Sequence, residues 1–295
     1  MHNTSKPMQE QIAAFTQLVR IKYSIFSASG IIVSGIISRD LQRIQSEYFV
    51  AFLIVFFTAI ASFALNDYYD LDIDTKNKRF DRPLVHGRLS KTTALLTTLC
   101  SLGIAIVLSF FLNDIATILI MTSLPVFILY NVGWKKALLV KNLIIAYAYV
   151  ATILLGALIS DTMLEPIILY FAGMGFIVGL AFEIMIDITD VIGDTANNVQ
   201  TIATHFGTKT AARVSILLYT MIIVLDPLPF FLELEPLLYR DFLFLSLISL
   251  PIISYGLVSF SLLNAQSTER INWLKQQLFI TMQVGSIVYI LGIAI

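Results

Sequence analysis

Charge is what this sequence has least of. Asp, Glu, Lys and Arg make up 13% of its 295 residues, about half the share of an ordinary soluble domain, and a water-soluble globule is thereby excluded. Cysteine occurs once, as Cys100, inside an apolar run. That leaves no disulfide framework and no cysteine-based metal site. The opening residues, MHNTSKPMQEQIAAF, lack the short apolar core of a cleavable signal peptide. No low-complexity stretch and no linker interrupts the chain, so residues 1–295 read as a single domain. The net charge of −1 hides a segregation of the two signs along the sequence. No nucleic-acid partner is expected.

Apolar sequence takes the place of charge. Hydrophobic residues reach 57% and the mean hydropathy is +0.83. Several uncharged runs extend for about 20 residues, enough to cross a bilayer as a helix. Helices are expected because they satisfy their own backbone in lipid. The fold class is therefore an all-α polytopic membrane protein. Nine spans are predicted, near 21–38, 47–65, 92–112, 114–132, 139–159, 165–186, 212–232, 242–263 and 275–295. The seventh carries Asp226-Pro227 and Pro229 and is expected to kink or end early.

Lys and Arg set the orientation. The segment before span 1 holds Lys6, Arg20 and Lys22, and the loop after span 2 holds Lys76, Lys78, Arg79, Arg82, Arg88 and Lys91. Lys135, Lys136 and Lys141 follow span 4, Lys209 and Arg213 follow span 6, and Arg270 and Lys275 follow span 8. Against these sixteen, the other side has Arg39, Arg43 and Arg240. The bias predicts a cytoplasmic N-terminus, cytoplasmic even-span loops and an external C-terminus in the cell membrane. The loops after spans 2 and 6 are the longest and hold nearly all the clustered acid, so function is expected on the cytoplasmic face.

The densest acid is NDYYDLDID, residues 66–74, at the end of the uncharged run AFLIVFFTAIASFAL. Asn66, Asp70 and Asp74 are spaced i, i+4, i+8, which places them on one face of a continued helix. Asp72 lies about 200° around from Asp70 and is expected in solvent. A second cluster, EIMIDITDVIGD at 183–194, contains Asp187, Asp190 and Asp194. Asp70 and Asp190 are 120 residues apart, as are Asp74 and Asp194; downstream, GRLSKTTA is echoed by FGTKTAAR. The pattern indicates an internal duplication of about four spans, which preserves orientation.

Carboxylates at i, i+4 repel each other unless a cation neutralises them. Hard divalent ions take carboxylate and amide oxygens, and Mg²⁺ completes its shell with water and substrate phosphate. Two such sets suit two or three Mg²⁺ ions around a diphosphate. No His or Cys sits among them, which argues against zinc; His86 and His205 read as polar loop residues. Solvated helix ends are the bland alternative, but charge beside a membrane is expensive and usually functional. Basic groups accompany the acid. Arg82-Pro83 holds a guanidinium on an extended or turned backbone and suits phosphate. YNVGWKK at 130–136 offers Tyr130, Asn131, Lys135 and Lys136, and Arg20 and Lys22 open span 1. For Arg20, Lys22 and Lys136 the ordinary role is a positive-inside anchor.

These residues resemble a known family. Asn66-Asp67-x-x-Asp70-x-x-x-Asp74, followed by Asp81-Arg82-Pro83-x-x-x-Gly87, is similar to the first signature of the UbiA superfamily of intramembrane prenyltransferases. Asp187-x-x-Asp190-x-x-Gly193-Asp194, with Thr201 and Gly207, is similar to the second. With the nine spans, the resemblance covers essentially the whole chain. Ile186 stands where many members have Lys, Phe182 where Arg is frequent, and Asn198 where a Gly is common.

The resemblance implies nine helices around a central cavity, with cap loops after helices 2 and 6. It implies Mg²⁺ held by Asn66, Asp70, Asp74, Asp190 and Asp194, the four aspartates being catalytic. Arg82 and Lys135 would stabilise a departing diphosphate. Arg20, Tyr130, Asn131, Asp67 and Asp187 complete the substrate-binding set, and the faces of Tyr130, Tyr68 and Tyr69 suit an allylic cation. The partners implied are an isoprenyl diphosphate, geranylgeranyl diphosphate by preference, membrane lipid, and a lipophilic or lipid-phosphate acceptor. The compact chain resembles members that build ether lipids on geranylgeranylglyceryl phosphate. An aromatic quinone precursor, 4-hydroxybenzoate or dihydroxynaphthoate, is the alternative acceptor. From other classes, a cation transporter and a structural membrane subunit compete. Transporter sites lie near the midplane on broken helices, whereas these aspartates end their spans. Nothing in the sequence specifies the oligomeric state.

Overall fold

The structure, a computed structural model, describes residues 8–41, 45–76 and 79–294. Lys6, Arg43 and Lys78, which enter the charge bias above, lie outside the described residues. The chain is all helical, with no strand among the described residues. It divides into two compact units, Met1–Ser29 with Phe49–Gly133, and Gly30–Tyr48 with Trp134–Ile295.

The first unit holds α1 (Met8–Leu18), the start of α2 (Ile21–Ile37), nearly all of α3 (Ser46–Lys76), α4 (Lys91–Ser109) and α5 (Asp114–Val132). α1 and α2 meet at a 46° bend. Arg20 sits in that bend with φ +44, a conformation a side chain other than Gly adopts only where its surroundings enforce it. Enforcement comes from Ser24, whose backbone N–H donates to Arg20 O at 3.1 Å and whose hydroxyl donates to Val19 O at 2.8 Å. Leu18, Ala64, Leu84 and Ala94 form a small core with Tyr68 and Leu71 packed on it. Ser90 caps α4 by accepting from Thr93 N at 3.0 Å.

The second unit holds the rest of α2, then a 3-10 turn at Trp134–Lys136, α6 (Val140–Ala157), α7 (Pro166–Ala196), α8 (Ile202–Phe206) and α9 (Thr208–Leu225). α10 (Leu228–Phe231), α11 (Phe242–Asn264) and α12 (Thr268–Ala294) complete it. The break between α9 and α10 falls at Asp226-Pro227, as the prolines required. α6 and α7 pack closely because small residues allow it. A Cβ on Gly179 would lie 3.2 Å from Ala146 Cα and 2.8 Å from a Tyr149 ring carbon, so the register of the pair depends on glycine there.

Among the described residues, eight helices are long and apolar enough to cross a membrane, and counting the bent pair α1–α2 as one span brings nine. Several boundaries differ from those expected. α3 runs to Lys76 rather than 65, α7 to Ala196 rather than 186, and α12 begins at Thr268 rather than 275. Hydropathy falls at the first charge, whereas helical hydrogen bonding continues through it. α3 and α7 each contain 31 residues, or about 46 Å, against a hydrocarbon core of about 30 Å. The excess turns carry the acid.

Candidate active site

α3 and α7 end alike. Asp74 O accepts from Arg79 N at 3.0 Å, and Asp194 O accepts from Val199 N at 2.9 Å. Both helices thus close five residues past the last aspartate. Gly87 at φ +64 and Gly207 at φ +87 then turn the chain toward the next long helix, in a region open to glycine and strained for other residues.

In the first unit the aspartates of α3 divide by depth. Asp67 is 1% exposed and Asp74 is 4% exposed; Asn66 and Asp70 are half-buried, and Asp72 is exposed. Asp67 Oδ1 receives two guanidiniums, Arg20 Nη2 at 2.9 Å and Arg82 Nη1 at 2.9 Å. Arg82 Nε also lies 3.9 Å from Asp74 Oδ2, and Arg79 Nη1 lies 3.6 Å from Asp74 Oδ1. Burial lifts the Asp74 carboxyl to about 6, against the pull of Arg79. Asn66 Nδ2 donates to Asp70 Oδ2 at 2.8 Å and to Asn131 Oδ1 at 3.4 Å, while its own oxygen accepts from Arg20 at 3.4 Å. Arg20, Asn66, Asp67, Asp70, Arg82 and Asn131 are therefore one network. Arg82 reaches it because turns at residues 79–89 fold the loop back, Arg82 N donating to Arg79 O and Arg88 N to Pro83 O.

The negative end of each helix dipole lies at these carboxylates, which disfavours them unless cations are near. The arginines supply part of that charge. Asp67 Oδ2 stays buried with no hydrogen-bond partner among the described residues, an acceptor whose lone pairs a metal-bound water or another donor would satisfy.

In the second unit Asp187 is 0% exposed. Lys141 Nζ lies 2.6 Å from its Oδ1, and Asn142 Nδ2 donates to its Oδ2 at 2.7 Å. The same Lys141 nitrogen lies 3.4 Å from Asp194 Oδ2. Asp190 is half-buried and accepts from Thr189 Oγ1 at 3.3 Å. Glu183 is half-buried one turn before Asp187. Lys135 is 8% exposed within its 3-10 turn, and the neighbouring Lys136 O accepts from Gln200 N at 3.1 Å.

The other expected residues fall as follows. Tyr130 is half-buried near the end of α5 and Lys22 is exposed. Lys91 Nζ sits 4.5 Å from the Tyr68 ring centroid, so that ring face already holds a cation. Tyr69 is 44% exposed and meets Tyr68 edge-on. His86 is an exposed loop residue as expected, whereas His205, also exposed, lies in the last turn of the short helix α8. Sequence reasoning passed over three partners in these networks: Arg79, Lys141 and Asn142. Arg79 follows the cluster directly, but Lys141 and Asn142 precede Asp187 by some 45 residues and carry no local acid.

Among the described residues, one group of three carboxylates closes to within 4.8 Å: Asp40, Asp161 and Glu165. Glu165 is the N-cap of α7, at the other end of the helix from Asp194, where the dipole favours acid. Burial raises the Asp40 and Glu165 carboxyls above their ordinary values.

Residues 27–282 match the model of the UbiA prenyltransferase family. The chain belongs to that family. It is a UbiA prenyltransferase, all-α and multi-pass in the membrane. A digeranylgeranylglyceryl phosphate synthase of Saccharolobus solfataricus is 30% identical to it over 286 residues, covering 95% of this chain and 97% of that protein. A solved structure described as giving insights into the biosynthesis of digeranylgeranylglyceryl phosphate synthase in membranes shares 25% identity. It has a TM-score of 0.73 and covers 96% of this chain and 99% of that one. A UbiA homolog from Archaeoglobus fulgidus bound to GPP and Mg²⁺ is 17% identical with a TM-score of 0.67, covering 94% and 99%, and shows the shared fold.

Proposed function

We propose that this UbiA prenyltransferase moves a geranylgeranyl group from geranylgeranyl diphosphate to geranylgeranylglyceryl phosphate, with Mg²⁺ as its cofactor. The observation that carries the reading is the 30% identity across 95% of the chain to a relative named for that synthesis. A homolog of the same fold bound to GPP and Mg²⁺ supports the donor and the metal. In the reaction the C1–O bond of the diphosphate ester breaks, its electron pair leaving with diphosphate. The acceptor hydroxyl oxygen forms the new C–O ether bond and its proton departs.

The donors fit Mg²⁺. They are hard oxygens at the negative ends of two helices, and the buried, unpartnered Asp67 Oδ2 suits a metal-bound water. Asn66, Asp70, Asp74, Asp190 and Asp194 are assigned as ligands. Bound Mg²⁺ supplies positive charge to the departing diphosphate. Asp67 and Asp187, each buried against cations, hold those cations and their helix ends in place. Arg82 and Lys135 are assigned to the phosphate oxygens, Asn131 orients Asn66, and Tyr130 is assigned to the allylic carbon. Arg20 fixes Asn66 and Asp67.

The acid ends of α3 and α7 are assigned to the cytoplasmic side with the N-terminus, on the charge bias. The chain is assigned as one domain built by duplication. In support, the ends of α3 and α7 are each 120 residues apart, like their aspartates.

The test uses the full chain in nanodiscs with labelled geranylgeranyl diphosphate, Mg²⁺ and three acceptors: geranylgeranylglyceryl phosphate, 4-hydroxybenzoate and dihydroxynaphthoate. Transfer to the glyceryl phosphate alone, abolished by EDTA, is expected. Preferential prenylation of either aromatic acceptor overturns the acceptor assignment.

A further inference from the structure

The two halves of the duplication can be compared position by position. Asp67, Asp70 and Asp74 correspond to Asp187, Asp190 and Asp194, while Asn66 corresponds to Ile186. In the first half one cation spans the buried carboxylate and the one seven residues on: Arg82, at 2.9 Å from Asp67 and 3.9 Å from Asp74. Position 202, the counterpart of Arg82, is Ile202, 8% exposed in the apolar core. The second half meets the same need from another helix. Lys141, near the start of α6, lies 2.6 Å from Asp187 and 3.4 Å from Asp194.

We propose that Lys141 is the positioning residue of the second carboxylate set, fixing Asp194 in ligand geometry as Arg82 fixes Asp74. The inference rests on the assignment of Asp190 and Asp194 to Mg²⁺.

The surroundings of Lys141 are built for this. Leu139, the N-cap of α6, has φ +64, a strain of about 1–3 kcal/mol that persists only where packing over-determines it. Asn142 holds the second oxygen of Asp187, and the Gly179–Ala146 contact locks α6 against α7. The lysine side chain is 13% exposed, so its ammonium is drawn from solvent onto the two carboxylates. Seven residues is two helical turns, and carboxylates stacked there at the helix C-terminus repel each other and the dipole. A single ammonium between them removes both repulsions. Lys141 engages Asp194 through Oδ2; Oδ1 is the oxygen assigned to the cation. Losing a group that orients a metal ligand from behind typically costs about 10- to 100-fold in metal affinity.

The experiment measures Mn²⁺ binding by EPR to the full chain in nanodiscs, with geranylgeranyl diphosphate present. Lys141→Ala is expected to raise the Mn²⁺ dissociation constant about 10- to 100-fold, and Lys141→Arg to stay close to wild type. In an Asp194→Asn background the further change Lys141→Ala is expected to add little, since the lysine acts through that aspartate. Should Lys141→Ala not fold, Lys141→Gln, which keeps a donor for Asp187 without the charge, takes its place. A lowered melting temperature with unchanged Mn²⁺ affinity marks a merely structural lysine and overturns the proposal. So does a full additive loss in the Asp194→Asn background. Wild-type chain that binds Mn²⁺ but transfers no prenyl group removes the proposed function instead. The positioning role then stands or falls on the binding data alone.

Discussion

The two acidic helix ends share a design but not its parts. On α3, three arginines serve Asp67 and Asp74: Arg20 from the α1–α2 bend, and Arg79 and Arg82 from the loop beyond the helix. On α7, Asp187 and Asp194 share Lys141, and an amide from Asn142 supports the buried carboxylate. Asn66 also ties Asp70 into its network, whereas its counterpart Ile186 brings no polar atom. The duplicated feature is thus the charge pattern of the helix, while the neutralising cations were recruited separately on each side. A guanidinium presents several donors in a fixed fork, and a lysine presents one compact charge. The first end is therefore cross-linked to two loops, and the second is held by two adjacent residues of one helix, with a single cation.

The largest effects test what the two ends hold in common. Asp70→Ala and Asp190→Ala are each expected to lower prenyl transfer by about 10³-fold, in the range of losing a key electrostatic group in a transition state. Neither should lower the melting temperature, because both residues lie half-buried at helix ends. Steady-state transfer assays and thermal unfolding, run side by side, check this. Full activity in one variant and none in the other would mean that only one helix end binds metal, and the equivalence of the two sets would be lost.

Next come the buried carboxylates, where the ends should differ. Asp67→Ala removes the shared 2.9 Å partner of two guanidiniums, leaving Arg82 its 3.9 Å contact with Asp74 and Arg20 its 3.4 Å bond to Asn66. The chain is expected to lose about 3 kcal/mol, the low end of the penalty for a broken buried pair, because those contacts and the partial exposure of both side chains (22% and 14%) temper it. Asp187→Ala leaves Lys141 its contact with Asp194, and it strands the Asn142 amide instead. About 1–3 kcal/mol is expected, the scale of an unsatisfied buried group. Unfolding without metal or substrate reads the difference directly. A larger loss at Asp187 than at Asp67 would reverse the ranking.

Much of this was legible in the sequence because its signals are local. Uncharged runs of about 20 residues report membrane helices, and Asp70–Asp74 and Asp190–Asp194 report their spacing without any tertiary context. The Asp226-Pro227 break followed from proline chemistry alone. The i, i+4, i+8 spacing already implied that α3 continues into the acid, but the extent of the overhang was not legible, since a hydropathy window stops at Asp67 while the helix continues for another nine residues. Lys141 was hidden for a different reason. It reads as a positive-inside anchor, and only the packing of α6 on α7 brings it to Asp187, 46 residues on. The depth of Asp67 was equally invisible: five identical-looking acidic or amide positions sort into buried, half-buried and exposed only once Arg20 and Arg82 fold onto them.

The smallest effect is expected at Asp72. It is exposed, off the face shared by Asn66, Asp70 and Asp74, and its counterpart 120 residues on is Ile192, which is 85% exposed. One half of the duplication thus carries an acid at this position and the other a hydrocarbon. If both serve the same chemistry, the position cannot need a carboxylate. Asp72→Ile, which writes the α7 residue into α3, is expected to change transfer by no more than about twofold, as for an ordinary surface substitution. The apparent Mg²⁺ requirement should also stay where it was. A tenfold fall in transfer, with the Mg²⁺ requirement displaced, would show that Asp72 reaches the metal. The helical face would then be misassigned by about half a turn, and the match between the two acidic ends would have to be redrawn from that residue outward.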